Sequence, residues 1–293
     1  MRARLGGRSV LIKLDSMCPS GSFKDRGTIL LVAHALDVSA REIVIDSSGN
    51  AASSIAMYAA RAGLPCRVFV PANASAGKLV QAKAMGAQVI AVAGDRGAAG
   101  TAAEQACSTS SYYANHNWSP LFPEGVMTWY LEVLEQLSSP PPQVFLPTSG
   151  GSVVTATGIA MSIAGTRTAV HAVQPAVCAP LLADYLGQPA PSTQLSVAEG
   201  ANIADPPRRA AVLEIVRVSG GSVRGVSESQ ISHAAQELWS QGIYVEPTGA
   251  LGAAGFIAAV QEGLEVPEDS VVLVTGHGLK TTPTNEALLG ARR

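Results

Sequence analysis

With 293 residues and a formal charge of −2, the chain is long enough for two lobes of ordinary domain size. It gathers neither lysine nor arginine into a patch, which argues against nucleic acid as the main partner. Hydrophobic residues make up 47% and aromatic ones only 5%, so Ala, Val, Leu and Ile must fill the core, as buried parallel sheets covered by helices require.

The start, Met1-Arg2-Ala3-Arg4, is basic, but Val10-Leu11-Ile12 is too short for a signal-peptide core. No apolar run approaches the roughly 18 residues of a membrane span, so a soluble, cytoplasmic protein is expected. The most informative segment follows: Ser20-Gly21-Ser22-Phe23-Lys24-Asp25-Arg26-Gly27. It sets a lysine behind a Ser/Gly turn and at the start of an apolar helix that includes Ile29-Leu30-Leu31-Val32-Ala33. There, burial and the helix N-terminus both disfavour a charged amine, and an uncharged amine can attack a carbonyl. An exposed lysine in the first turn of an ordinary helix is the competing reading.

Short β-branched runs then alternate with helical stretches: Ile43–Ile45, Val68–Val70, Val89–Val92, Val144–Leu146, Val170–Val173 and Val271–Val274. This is the rhythm of βαβ units. Helices are predicted over Ala51–Ala62 and Ala76–Met85, stopped by Gly63 and Gly86. Ser138-Ser139-Pro140-Pro141-Pro142 interrupts the rhythm and divides the chain into halves, 1–142 and 143–293. Cys18, Cys66, Cys107 and Cys178 show no paired spacing, so they read as small hydrophobes, with Cys18 only six residues before Lys24.

Ligands of open parallel sheets bind beyond the carboxyl ends of strands. After Ile45 comes Asp46-Ser47-Ser48-Gly49-Asn50, able to hold a carboxylate or simply to cap a helix through Asn50. After Leu146 comes Pro147-Thr148-Ser149-Gly150-Gly151-Ser152, able to cradle a phosphate or merely to end a strand. After Val274 comes Thr275-Gly276-His277-Gly278, and a fourth segment is Glu246-Pro247-Thr248-Gly249. One lysine, one phosphate cradle and one carboxylate cradle suit an aldehyde cofactor that carries a phosphate.

Together, the segments Ser20–Gly27, Ser47–Asn50, Glu246–Ala250 and Thr275–Lys280 resemble the threonine synthases, within the fold-type-II enzymes that use pyridoxal 5′-phosphate. The resemblance runs from about Leu5 to the end of the chain. It implies an α/β architecture of the tryptophan synthase β type: two open parallel-sheet domains, with the cofactor in the cleft between them, in a homodimer. It also implies that Lys24 is the Schiff-base lysine with Phe23 packed near the cofactor, that Asn50 bonds the cofactor's 3′ oxygen, and that Ser47, Ser48 and Gly49 close on the substrate carboxylate. Ser149, Gly150, Gly151, Ser152 and Val153 match the phosphate loop, Lys78 a lysine associated with the phosphate of O-phosphohomoserine, and Thr275 the hydroxyl residue facing the pyridine nitrogen. A neutral hydroxyl there leaves a weaker electron sink, which favours elimination and replacement over transamination.

Asp25-Arg26 is closer to threonine synthases than to serine or threonine dehydratases. Three departures stand out. Members usually carry a Gly-Asn-Thr-Pro-Leu-like segment before the strand at Val10; Ser149 and Ser152 stand where glycines are common; and Glu124-Gly125-Val126-Met127-Thr128 replaces Glu-Gly-Gln-Lys-Thr. The expected reaction is a lyase-type elimination or replacement on an amino acid, threonine formation being the template. The alternatives are a dehydratase or β-replacement enzyme, and a degraded relative that binds pyridoxal phosphate or a partner subunit without turnover.

Overall fold

The computed structural model describes residues 1–74, 76–189 and 194–290. In chain order the strands and helices begin with β1 (Arg2–Leu5), β2 (Arg8–Leu14), α1 (Lys24–Asp37), β3 (Glu42–Asp46), α2 (Asn50–Arg61), β4 (Cys66–Pro71), α3 (Ala76–Ala84) and β5 (Gln88–Val92). There follow α4 (Arg96–Ala106), β6 (Ser111–Tyr113), α5 (Leu121–Val126), α6 (Thr128–Gln136), β7 (Gln143–Pro147), α7 (Ser152–Ala164), β8 (Ala169–Pro175) and α8 (Pro180–Leu186). The last are α9 (Arg209–Ser219), β9 (Ser222–Val226), α10 (Glu228–Ser240), α11 (Pro247–Gln261), β10 (Val271–Val274) and α12 (Thr282–Gly290). All six strands expected from β-branched runs are present, and both predicted helices end before glycines with positive φ, Gly63 at 70° and Gly86 at 82°.

Two compact units form: residues 18–126, and residues 1–17 with 127–293. This differs from the halves 1–142 and 143–293. The first residues join the later unit because β2 pairs in parallel with β10, Leu14 opposite Val274, while β1 pairs antiparallel with β2. The proline run is no domain linker; it joins α6 to β7 inside one unit. Thr168 Oγ1 donates to Pro141 O at 2.7 Å, Ala169 N donates to Pro142 O at 3.0 Å, and Tyr130 Oη lies 2.6 Å from Thr168 Oγ1.

The 18–126 unit holds a four-stranded parallel sheet in the order β5-β4-β3-β6. Ile43, Val44 and Ile45 are wholly buried, with α4 packed on β3 and β4 and α2 packed beside α1. The other unit holds a six-stranded sheet in the order β1-β2-β10-β7-β8-β9, parallel except for β1. Strand β10 is buried at every residue, and α11, rich in Gly and Ala, lies against β7, β8 and β10 with twelve buried residues. Small side chains permit that approach: a Cβ on Gly252 would come 2.7 Å from Phe145 O. Both units are α/β with parallel sheets, as expected from the sequence. Among the described residues no helix is long and apolar enough to cross a membrane.

Candidate active site

In the 18–126 unit the lysine segment begins with a tight turn, Gly21 N donating to Cys18 O at 2.7 Å with Gly21 φ at 82°. Phe23 is the residue before α1, and Lys24 is the first residue within it. The Lys24 amine sits 4.7 Å from the Phe23 ring centroid and 5.2 Å from that of Phe122. Two aromatic faces therefore flank the nitrogen of a side chain that is half-buried rather than buried, and their quadrupoles favour a cation there instead of the uncharged amine expected from burial. Phe122 was not singled out in the sequence, because 98 residues separate it from Lys24. Its ring is held by His116 in an edge-on contact at 5.5 Å and lies over Gly27, where a Cβ would come within 2.4 Å. The Gly27 of the lysine segment is thus a packing requirement.

Strand β3 ends in Asp46, and Ser47, Ser48 and Gly49 lead into α2. Gly49 is the extended N-cap, and no side chain caps the helix; Asn50 is already its first residue. The reading of Asn50 as a cap therefore does not hold. Gly49 N donates to Ser47 Oγ at 3.3 Å, and Tyr113 Oη donates to Asp46 Oδ1 at 2.7 Å, fixing the base of the loop. Burial first, and the Asp46 carboxylate second, push the Tyr113 phenol well above the usual tyrosine range. The chain runs β3, β4, β5 to one side and then places β6 on the other side of β3. The ends of β3 and β6 are thus a topological switch point, where open parallel sheets bind ligands, and Ser47–Asn50 lies on it. Lys78 falls in α3, but its side chain lies outside the described residues.

The other unit has its own switch point. Strands β7, β8 and β9 follow one direction, and β10 lies on the opposite side of β7. Pairing of Val271 with Val144 and Val272 with Phe145 brings the carboxyl ends of β10 and β7 level. Ser149, Gly150 and Gly151 extend from one end, and Thr275 from the other. Gly151 caps α7 at φ 94° without any side-chain bond, and a Cβ there would come 2.6 Å from Val212 Cγ2. The first backbone amides of α7, from Ser152 and Val153 onward, have no intrahelical acceptors, and both residues are buried. One turn on, Thr155 Oγ1 is buried with no hydrogen-bond partner among the described residues. Free amides at a helix N-terminus, behind a turn only glycine adopts comfortably, fit a phosphate ester.

Thr275 is 3% exposed, and its surroundings are knit by backbone contacts. Glu246 N donates to Gly276 O at 3.1 Å, Gly278 N to Tyr244 O at 3.0 Å, and Asn285 Nδ2 to both Val245 O at 3.3 Å and Gly278 O at 3.1 Å. Glu246, buried here, opens a segment already singled out in the sequence, whereas the buried Asn285 carried no distinctive sequence signal. A Cβ on Gly276 would come 2.0 Å from Glu246 Oε1, so the Glu246 side chain would have to shift to admit one. His277 accepts from Leu279 N through Nδ1 at 3.2 Å, so it serves as the cap of a short 3-10 turn.

The family of pyridoxal-phosphate dependent enzymes matches residues 1–276. Threonine synthase of Methanosarcina acetivorans is 30% identical over 295 residues, covering 96% of this chain and 73% of that protein. Threonine synthase of Mycobacterium bovis is 31% identical over 289 residues, covering 95% and 79%. Among solved structures, an L-serine ammonia-lyase from Rhizomucor miehei superposes with a TM-score of 0.86 at 19% identity, covering 98% of this chain and 94% of that one, a likeness of fold. With a sheet switch point and helix N-terminus suited to a phosphate, and relatives along nearly its full length, the chain belongs to the fold-type-II pyridoxal-phosphate dependent enzymes and resembles the threonine synthases in sequence.

Proposed function

We propose that the chain catalyses elimination or replacement on an amino acid whose side chain carries an activated oxygen, with formation of threonine from O-phosphohomoserine as the template. The observation that carries this reading is Lys24, set at the first residue of α1 between two aromatic rings, in a chain 30% identical to a threonine synthase. When bound, pyridoxal phosphate supplies a carbonyl that condenses with amines and a ring that delocalises the electron pair left at Cα.

The protein's own residues do the rest. Lys24 would hold the cofactor covalently and, once released by the substrate amine, would take and return protons at the substrate carbon atoms. Phe23 and Phe122 flank its amine. The α7 amides behind Ser149–Gly151, with Ser152 and Val153, would hold the phosphate, and the neutral Thr275 hydroxyl would partner the ring nitrogen. Asn50 would hold the 3′ oxygen, while Ser47, Ser48 and Gly49 would bind the substrate carboxylate, with Lys78 assigned to its phosphate. Across the net reaction, phosphate leaves Cγ and water adds at Cβ. A cytoplasmic homodimer is the form the family resemblance favours.

The test is the visible absorption of purified protein after addition of pyridoxal phosphate, in wild type and Lys24→Ala, followed by titration with O-phosphohomoserine, O-acetylserine, serine and threonine. A band in wild type alone, perturbed by O-phosphohomoserine with phosphate release and no keto acid, supports the reading. Keto acid and ammonia from serine or threonine would move it to a dehydratase. No band from a folded protein would overturn it.

A further inference from the structure

The Asp25 carboxylate, next in sequence to Lys24, is 2% exposed. An ionised carboxylate removed from water must have its lone pairs filled, and here three donors fill them. Ser20 N donates to Oδ2 at 2.7 Å, while Ser20 Oγ at 2.5 Å and Ser54 Oγ at 2.6 Å both donate to Oδ1. The two bonds from Ser20 close the turn that carries the lysine. The third crosses to α2, where Ser54 stands four residues, or about one helical turn, after Asn50. Gln81 Nε2 adds a bond to Ser20 O at 3.1 Å, tying the same turn to α3. Asp25 also sits in the first turn of α1, and after burial its field helps raise the Tyr58 phenol.

We infer that Asp25 is a positioning residue: it clamps the Ser20–Asp25 turn to α2 and so holds the Lys24 amine in fixed register with Asn50 and the Ser47–Gly49 loop. This rests on the reading of Lys24 as the reactive amine. The geometry also says what a substitute must do. An asparagine amide can keep its oxygen toward Ser20 N and turn its NH2 toward the two serine hydroxyls, which accept as readily as they donate. An alanine removes the carboxylate that accepts from three buried donors, and the Ser20 N–H has no freedom to turn elsewhere.

The experiment compares wild type, Asp25→Ala, Asp25→Asn and Ser54→Ala in two measurements. In the apoprotein, hydrogen exchange is followed at the amides of residues 18–26 and, as a control, in β7 and β8. With pyridoxal phosphate added, the rate of appearance of the visible band is followed. Asp25→Ala is expected to raise exchange in the turn alone and to slow band formation by about 10- to 100-fold, the cost of a displaced reacting group. Asp25→Asn restores most of both, and Ser54→Ala, lacking one bond, shifts them by about threefold. Exchange and band formation unchanged in Asp25→Ala would overturn the proposal, as would Asp25→Asn failing as badly as alanine. If Asp25→Ala does not fold by circular dichroism, Ser54→Ala decides, and unchanged values in it overturn the clamp. A wild-type protein that forms no band defeats the Lys24 reading, while the exchange data still judge the clamp by themselves.

Discussion

The two site-bearing regions are built by different means. Around Lys24 the geometry is set by side chains: the Asp25 carboxylate with Ser20 and Ser54, the rings of Phe23 and Phe122, and the Tyr113 hydroxyl on Asp46. Around Gly151 and Thr275 it is set mainly by backbone: a left-handed glycine, the N-terminus of α7, and main-chain bonds that link Glu246 with Gly276 and Tyr244 with Gly278. The first kind fails when polar atoms are deleted, because buried partners are left without bonds. The second fails when atoms are added, because the chain has no room for a Cβ. Substitutions that share one size of chemical change should therefore act in opposite senses in the two regions.

The largest expected effect is at Lys24. Lys24→Ala removes the proposed nucleophile and should abolish the cofactor band and lower turnover by on the order of 10³-fold or more, while circular dichroism and melting temperature stay close to wild type. A folded Lys24→Ala protein that retains the band would remove the lysine from the centre of the side-chain region.

Next is a pH effect in the other unit, at His171 on β8. Its ring stacks on Phe145 at 4.5 Å, Nδ1 lies 2.8 Å from Ser222 Oγ, and burial, helped by Arg224, brings it from the ordinary histidine value of 6.5 down to about 4. The unfolded chain thus takes up a proton between those values that the folded chain refuses. Stability from the neutral ring is fully present above about pH 6.5 and lost as pH falls toward 4, a decline of about 3 kcal/mol. Urea unfolding across that window should show it, and His171→Phe, which keeps the stacking, should flatten it.

Gly151→Ala should cost about 1–3 kcal/mol through two causes, the left-handed φ and the contact with Val212. Adding Val212→Ala should not simply sum: it opens space at the clash while creating a cavity of its own, so the pair should fall short of additivity when melting is measured. Strict additivity would mean that the turn yields without straining against α9, and the backbone region would lose its distinguishing property.

Much of this was legible in the chain because local signals were strong. Six β-branched runs became strands, and Gly63 and Gly86 ended helices as expected. Strand β6 escaped notice because Ser111-Tyr112-Tyr113 is three residues long and only half-buried, and β9 because Gly225 interrupts an edge strand. The division into units was misplaced for a related reason: the pairing of β2 with β10 joins residues some 260 positions apart, which periodicity does not report. Segments at strand ends announced the candidate site; its supports did not. Nothing local shows that Asp25 reaches Ser54, that Phe122 lies against Lys24, or that Asn285 bonds Val245 and Gly278. Such supports exist only once distant helices have packed.

The smallest of these effects sharpens the contrast most finely. Tyr113→Phe keeps the ring and its packing but deletes the one hydroxyl that bonds Asp46 Oδ1 at 2.7 Å, directly before Ser47–Gly49. A hydrogen bond to a carboxylate at a half-buried site contributes about 1 kcal/mol, so the global melting shift should be slight. The local consequence should be larger, because Asp46 closes β3 and the three loop residues hang from it without a side-chain cap on α2. Hydrogen exchange at Ser47, Ser48 and Gly49 should therefore rise while the amides of α7 remain as protected as before. Because burial and Asp46 hold the phenol protonated well past the usual tyrosine value of 10.0, the difference between variant and wild type should not change with pH from neutrality up to that value. Equal loosening of the loop and of α7 would show that the two sites share one framework rather than two kinds of construction.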